Sequence, residues 1–160
     1  MRIQNLNYKR EYYKKIIEKR IEAQEAILAL IYELRIQVKL DSGVMCNRIC
    51  ADDYEFFNNF VVSLAMSVRS PFWLSDKLNG TMLKFNIFLL NEIESIVNKL
   101  EPQEQKEALE QLGTAHLEKL REFRTQIENQ LKSDFANMSN VKSFIRSKRE
   151  DEPQLYWLKK

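Results

Sequence analysis

The sequence predicts an all-α protein, an elongated bundle of about four main helices followed by a short C-terminal helix or tail. Two observations support this fold class. The 160 residues include only three prolines and three glycines, so few positions interrupt a helix. Between these breakers, apolar residues recur every three or four positions, as they do on one face of an α-helix. We expect two long helices, the first and the fourth, and two shorter ones, in one bundle at residues 1–135.

The first helix is expected from about Asn7 to Leu40. Its apolar residues follow the seven-residue alternation of a coiled coil, although Arg20 and Gln24 interrupt the stripe and neighbouring apolar positions widen it. Asp41 and Ser42 precede Gly43, which is free to adopt a positive φ and so provides a stop.

The second and third helices are predicted to form the most buried part of the bundle. A second helix begins after an N-cap at Asp52 or Asp53 and reaches about Val68, with a wide apolar face. A third begins at Ser75-Asp76 and continues to about Leu100, with apolar residues on more than one face. Glycine is unfavourable inside a helix; a close approach of another helix would explain Gly80, but the sequence does not show one.

The fourth helix is expected from Glu101-Pro102 to about Phe135. Proline is suited to its first turn, and acidic residues there favour the positive end of the helix dipole. One thin apolar stripe lies on an otherwise charged helix, at Leu109, Leu112, His116, Leu120, Phe123, Ile127 and Leu131. Such a helix is expected to be partly exposed or to pair with one partner helix.

Residues 136–160 are predicted to pack on the bundle or to extend from it. Val141 and Phe144 lie among basic residues and indicate a short amphipathic helix. Pro153 then separates this segment from an aromatic tail, Leu155-Tyr156-Trp157-Leu158. The tail has to dock on an apolar surface or remain exposed.

The net charge is only +2, but it is distributed unevenly along the chain. Residues 1–20 carry seven bases and two acids, whereas residues 101–140 carry five bases and eight acids. Residues 141–160 are basic again. Basic ends on an acidic body favour self-association or contact with an anionic surface.

The basic, tyrosine-rich start of the first helix is the candidate anionic-surface site. Bases can neutralise phosphates while tyrosines stack on nucleic-acid bases or lie at lipid headgroups. The alternative is a solvated helix whose tyrosines fold onto neighbouring helices. The candidate contact residues are Lys9, Arg10, Tyr12, Lys14, Lys15 and Lys19.

Aromatic residues near helix ends, and two stripe positions of the fourth helix, are the candidate protein interface, because aromatic anchors dominate many interfaces. The alternative is that they pack within the bundle. These candidates are Trp73, His116, Phe123, Tyr156 and Trp157.

The sequence contains no catalytic motif that we identify, and we expect no enzyme, cofactor, metal or small-molecule substrate. His116 is the only histidine, which argues against a di-metal bundle with two Glu-x-x-His motifs. Asp52 and Asp53 are interpreted as capping residues. Cys46 and Cys50 would lie one turn apart if their segment is helical, and they are interpreted as reduced, semi-buried thiols.

The predicted function is therefore a non-catalytic helical interaction or scaffold module that self-associates or binds another helical protein. The alternative is an anionic-surface binder, at a membrane or on nucleic acid, that uses the N-terminal helix. The longest uncharged stretch is too short to cross a bilayer. We expect a cytoplasmic location, with membrane association of the N-terminus as the variant.

Overall fold

The computed structural model describes residues 2–69 and 71–150, and this part of the chain is all-α apart from one small hairpin. The predicted fold class is confirmed. The helices are α1 (Arg2–Arg35), α2 (Arg48–Ala51), α3 (Tyr54–Val68), α4 (Asp76–Leu89), α5 (Ser95–Val97), α6 (Pro102–Ala115), α7 (Leu117–Ala136) and α8 (Val141–Glu150).

The first helix ends at Arg35, earlier than predicted, because the chain turns into a hairpin. Strand β1 (Gln37–Lys39) pairs antiparallel with β2 (Met45–Asn47), and the predicted stop at Gly43 lies in the turn between them with φ +83°. The prediction that the first helix continues from Arg35 to Leu40 is therefore wrong.

Hydrogen bonds from β2 and α2 explain why α1 stops there. Asn47 Nδ2 donates to the Leu34 carbonyl at 2.8 Å, and Arg48 N donates to the Ile36 carbonyl at 3.0 Å. Carbonyls at a helix end need such partners. Asn47 and Arg48, which follow the hairpin turn in the sequence, supply them, and the helical pattern of α1 carries no signal for these contacts.

Side-chain caps start α3 and α4 as predicted. Asp53 accepts a hydrogen bond from Phe56 N at 2.8 Å, and Ser75 Oγ accepts one from Leu78 N at 3.2 Å. Each cap satisfies a backbone donor that has no partner within the helix. Of the two aspartates considered, Asp53 is the cap.

The third predicted helix is interrupted. It changes to a π-helical turn at Leu90–Glu94, and α5 ends at Val97, before the predicted Leu100. Fully buried side chains follow one another at spacings of four positions here, at Phe85, Leu89, Ile93 and Val97. An ideal α-helix has 3.6 residues per turn, so the wider turn keeps these positions facing the core. Apart from its chain neighbours and the backbone of its own helix, no atom lies within 4 Å of a Cβ built on Gly80, so a close helix approach does not explain this glycine.

The fourth predicted helix is two helices. His116, with φ −100° and ψ 10°, separates α6 from α7. The bend lets α6 pack against α2 and β2 while α7 packs against α1 and α4. The apolar stripe is maintained through the bend and is mostly buried within the chain, at Leu109, Leu120, Phe123, Ile127 and Leu131.

Helix α8 packs across the middle of α1. Ile16, Val141 and Phe144 form a small apolar cluster, separate from the main core, and Trp73 packs against it. The Arg20 guanidinium stacks on the Phe144 ring at 4.0 Å from its centroid.

Candidate functional site: a groove between two helices

A groove of about 840 Å³ runs between α1 and α3, and it is the candidate functional site. The two helices run antiparallel. Arg48, which pairs with Glu33 near the end of α1, also lies over the Phe56 ring at the start of α3. At the opposite end of the groove, Trp73 follows α3 and packs beside Ile16.

Small residues on one wall and apolar residues on the other create the groove. Helix α1 contributes Ala23, Ala26 and Ala29, whose short side chains leave the space open. Helix α3 contributes Val62 and Met66, which remain 51% and 56% exposed. The groove therefore groups apolar surface in one concave place, where a partner can cover it.

An ion pair lies at each end of the groove. Near Trp73, Lys19 Nζ pairs with Glu22 at 2.6 Å. At the far end, Glu33 pairs with Arg48 at 3.4 Å. The apolar floor thus has polar ends that can orient a bound chain.

The six predicted anionic-surface residues share the exposed surface of α1. The side chains of Tyr8 and Tyr12 are 71% and 48% exposed, so these tyrosines do not fold onto neighbouring helices. Tyr13 is half-buried and packs on the cluster around Ile16. The exposed candidates are Lys9, Arg10, Tyr12, Lys14, Lys15 and Lys19.

Of the five predicted interface residues, Trp73 lines the groove. The His116 and Phe88 rings pack in a T-shaped arrangement, with their centroids 5.3 Å apart, between α4 and the start of α7. Phe123 is 9% exposed and its ring lies 5.0 Å from that of Phe85, so its contacts are made inside the core. Residues Tyr156 and Trp157 lie outside the described part of the chain.

The two thiols are fully buried beside α6. Cys46 Sγ donates to the Asn47 carbonyl at 3.4 Å and to the Glu110 carbonyl at 3.8 Å. Burial raises the pKa of both thiols, most strongly that of Cys50. Because the thiolate is the reactive form, this environment disfavours nucleophilic chemistry at either cysteine.

A second, polar cavity of about 370 Å³ lies between α1, α7 and α8. Arg20 is 2% exposed and donates to the Met138 carbonyl at 3.1 Å. Asp134 is 6% exposed and accepts from Ser75 N at 3.0 Å. Burial lowers the pKa of Arg20, and the Asp134 charge opposes this effect. These contacts tie three elements of the fold together.

Within residues 2–69 and 71–150, no group of three or more His, Cys, Asp or Glu side chains is placed to hold a metal ion. Asp52 and Asp53 have different structural roles. Asp53 caps α3, and Asp52 lies 3.5 Å from Arg48 Nε.

Sequence reasoning missed the groove, although a pattern for one wall was present. Alanines at every third position from Ala23 to Ala29 mark a thin strip along α1. What that strip faces depends on the antiparallel placement of α3, which no local pattern specifies.

No protein-family model matches this chain, and neither a curated protein nor a solved structure is significantly similar to it. Among the described helices, none combines the length and the apolar character needed to cross a bilayer.

Proposed function

We propose that the protein is a non-catalytic helical interaction module that self-associates, and that a second copy binds in the groove between α1 and α3. The apolar lining of this groove is the observation that carries the proposal, since Val62 and Met66 are more than half exposed there. Contiguous apolar surface in a concave site favours a protein partner.

The ends of the groove make α1 self-complementary. Lys19 and Glu33 lie seven positions before and after Ala26. A two-fold axis beside Ala26 would place two copies of α1 antiparallel, with Lys19 of one opposite Glu33 of the other. Both side chains already have ion-pair partners within the chain. We therefore expect apolar contact to supply most of the affinity and the charges to set the register.

The non-catalytic part of the proposal is supported by the structural use of the reactive groups. Asp53 caps a helix, and both thiols are buried with raised pKa values. His116 packs against Phe88 at the break between α6 and α7.

Sedimentation velocity of the full chain tests this function. Met66→Glu places a charge in the groove and should weaken dimerisation about tenfold or more. Ile87→Glu is the matched control, because Ile87 is 47% exposed on α4 and does not line the groove. Equal dimerisation of the Met66 and Ile87 variants over roughly a hundred-fold concentration range would contradict the proposal.

A second candidate function, binding of an anionic membrane surface, is favoured by the exposure of Tyr8 and Tyr12 among the bases of α1. Co-sedimentation with vesicles containing phosphatidylserine tests it. The double variant Lys9→Glu/Lys14→Glu should lose binding, whereas Lys106→Glu/Lys119→Glu should retain it. Both pairs change the charge equally, and one lysine of each has an ion pair on its own helix. Equal loss in both pairs, or binding to single-stranded DNA alone, would reject a membrane site.

A further inference from the structure

We propose that residues 151–160 occupy the groove between α1 and α3 of their own molecule and compete with the second copy. This inference rests on the proposed function, because it names what covers the same surface in the single chain.

The end of α8 lies close to one end of the groove. Lys148 Nζ pairs with Asp76, three residues after Trp73. Ile145 packs on the same apolar cluster as Trp73, and Trp73 also lines the groove. The chain that continues from Glu150 therefore starts beside the Trp73 end.

The segment has the composition that this groove would bind. It contains four consecutive apolar residues, Leu155-Tyr156-Trp157-Leu158. The groove offers an apolar floor that includes Phe60, with exposed Val62 and Met66 beside it. Burial of large aromatic and aliphatic side chains is the main source of affinity in such grooves.

Lys19 and Glu33 match the charges of the segment in order and in distance, and at the Lys19 end the segment's acids would compete with Glu22, which pairs with Lys19 and also lines the groove. Asp151-Glu152 precedes the apolar residues and Lys159-Lys160 follows them. Lys19 lies at the Trp73 end of the groove and Glu33 at the far end, fourteen positions or about 21 Å along α1. An extended chain from Glu152 to Lys159 spans about 23 Å. Acids would therefore meet Lys19 as bases reach Glu33.

Tethering makes the segment a strong competitor. A short linker holds a bound element at an effective concentration in the millimolar range, well above that of a second copy in dilute solution. The segment would cover Ala26 and Met66, which the dimer also needs. Self-association would then require its release.

Methyl NMR of the full chain tests the location. Trp157→Asp removes the largest apolar anchor, and Gln154→Asp is the control with the same charge change in the same segment. At a concentration where the chain is monomeric, Trp157→Asp should shift the methyl signals of Ala26, Val62 and Met66, but not those of Ile87. Unchanged groove signals, or shifts confined to another surface, would overturn the inference.

Sedimentation separates this inference from the proposed function. If both hold, Trp157→Asp should tighten dimerisation about tenfold or more, the opposite of Met66→Glu. Groove shifts with no dimer in any variant would support the segment's place and reject self-association. Dimerisation that is lost in Met66→Glu yet equal in wild type, Gln154→Asp and Trp157→Asp would keep self-association and overturn the inference.

Discussion

Gly113 of α6 lies directly against Cys50 of α2, with no space for a side chain between them. A Cβ built on Gly113 would overlap Cys50 Cβ and lie 2.8 Å from Cys46 Sγ. The sequence places Gly113 inside a predicted helix, where glycine is unfavourable. The close packing of the Cys50 and Cys46 side chains against the Gly113 backbone explains it, and the hairpin that carries Cys46 lies against α6 through this contact.

Gly113→Ala should therefore destabilise the protein, by about 1–3 kcal/mol, because the new methyl group forces the two helices apart. Chemical denaturation monitored by circular dichroism measures the change. The closest contact is between Cβ positions, so adding Cys50→Ala should not restore the stability.

Gly80→Ala is the matched control, since Gly80 also lies within a helix but a built Cβ has no neighbour within 4 Å beyond the adjacent residues and the backbone of its own helix. It should stabilise the protein by up to about 1 kcal/mol through helix propensity. A loss of stability in both variants would show that contact with Cys50 is not the cause.

The buried thiols should react slowly in the folded protein. Burial raises the pKa of Cys46 and Cys50, so little thiolate forms near pH 8, and neither sulfur is accessible. Labelling with a disulfide reagent should be about 100-fold or more slower than in denaturant, because it requires opening of the structure. Rapid labelling of either cysteine in the native protein would contradict this account.

Removing the buried Asp134 carboxylate should destabilise the protein. Asp134→Ala leaves Ser75 N without its acceptor and Arg20 without the nearby negative charge. We expect a loss of about 2–4 kcal/mol in unfolding free energy. Asp134→Asn keeps an acceptor and should lose less. Ser133→Ala, at an exposed neighbour, should stay within about 0.5 kcal/mol of wild type.

Glu128 should make stability depend on acid pH. A hydrogen bond from Arg35 Nε, at 2.8 Å, lowers the pKa of Glu128. Its stabilisation is present above the ordinary carboxyl pKa, about 4.3, and is lost as pH falls through the lower folded value. Glu128→Gln should cost about 1 kcal/mol or less at pH 7.

Denaturant melts of Glu128→Gln and wild type at pH 7 and pH 3 measure this effect. The difference between them should shrink as the pH falls. The control is Glu118→Gln, whose carboxylate is 79% exposed beside Arg121 and should change stability little at either pH. If the stability difference between Glu128→Gln and wild type grew toward acid pH, the predicted direction of the pH dependence would be wrong.

Local signals in the sequence predicted the main helical segments, the starts of α3, α4 and α6, and the end of α3. Asp53 and Ser75 cap the helices that follow them, and Gly43 takes the positive φ expected of it. These features depend on interactions within a few residues, so they can be read from the chain. The inward placement of Arg20 and Gln24 on the α1 stripe also follows from spacing.

The interruptions of the predicted helices depended on distant contacts. Helix α1 ends where Asn47 donates a hydrogen bond to the Leu34 carbonyl. The fourth predicted helix bends at His116, so that α6 and α7 pack against different neighbours. The groove exists because α3 lies antiparallel to the alanines of α1. The sequence by itself determined the helical class, the caps and the apolar faces, because these arise from local backbone chemistry and periodicity. Only the tertiary structure decided where those faces leave a gap, because that depends on how separate helices fill space together.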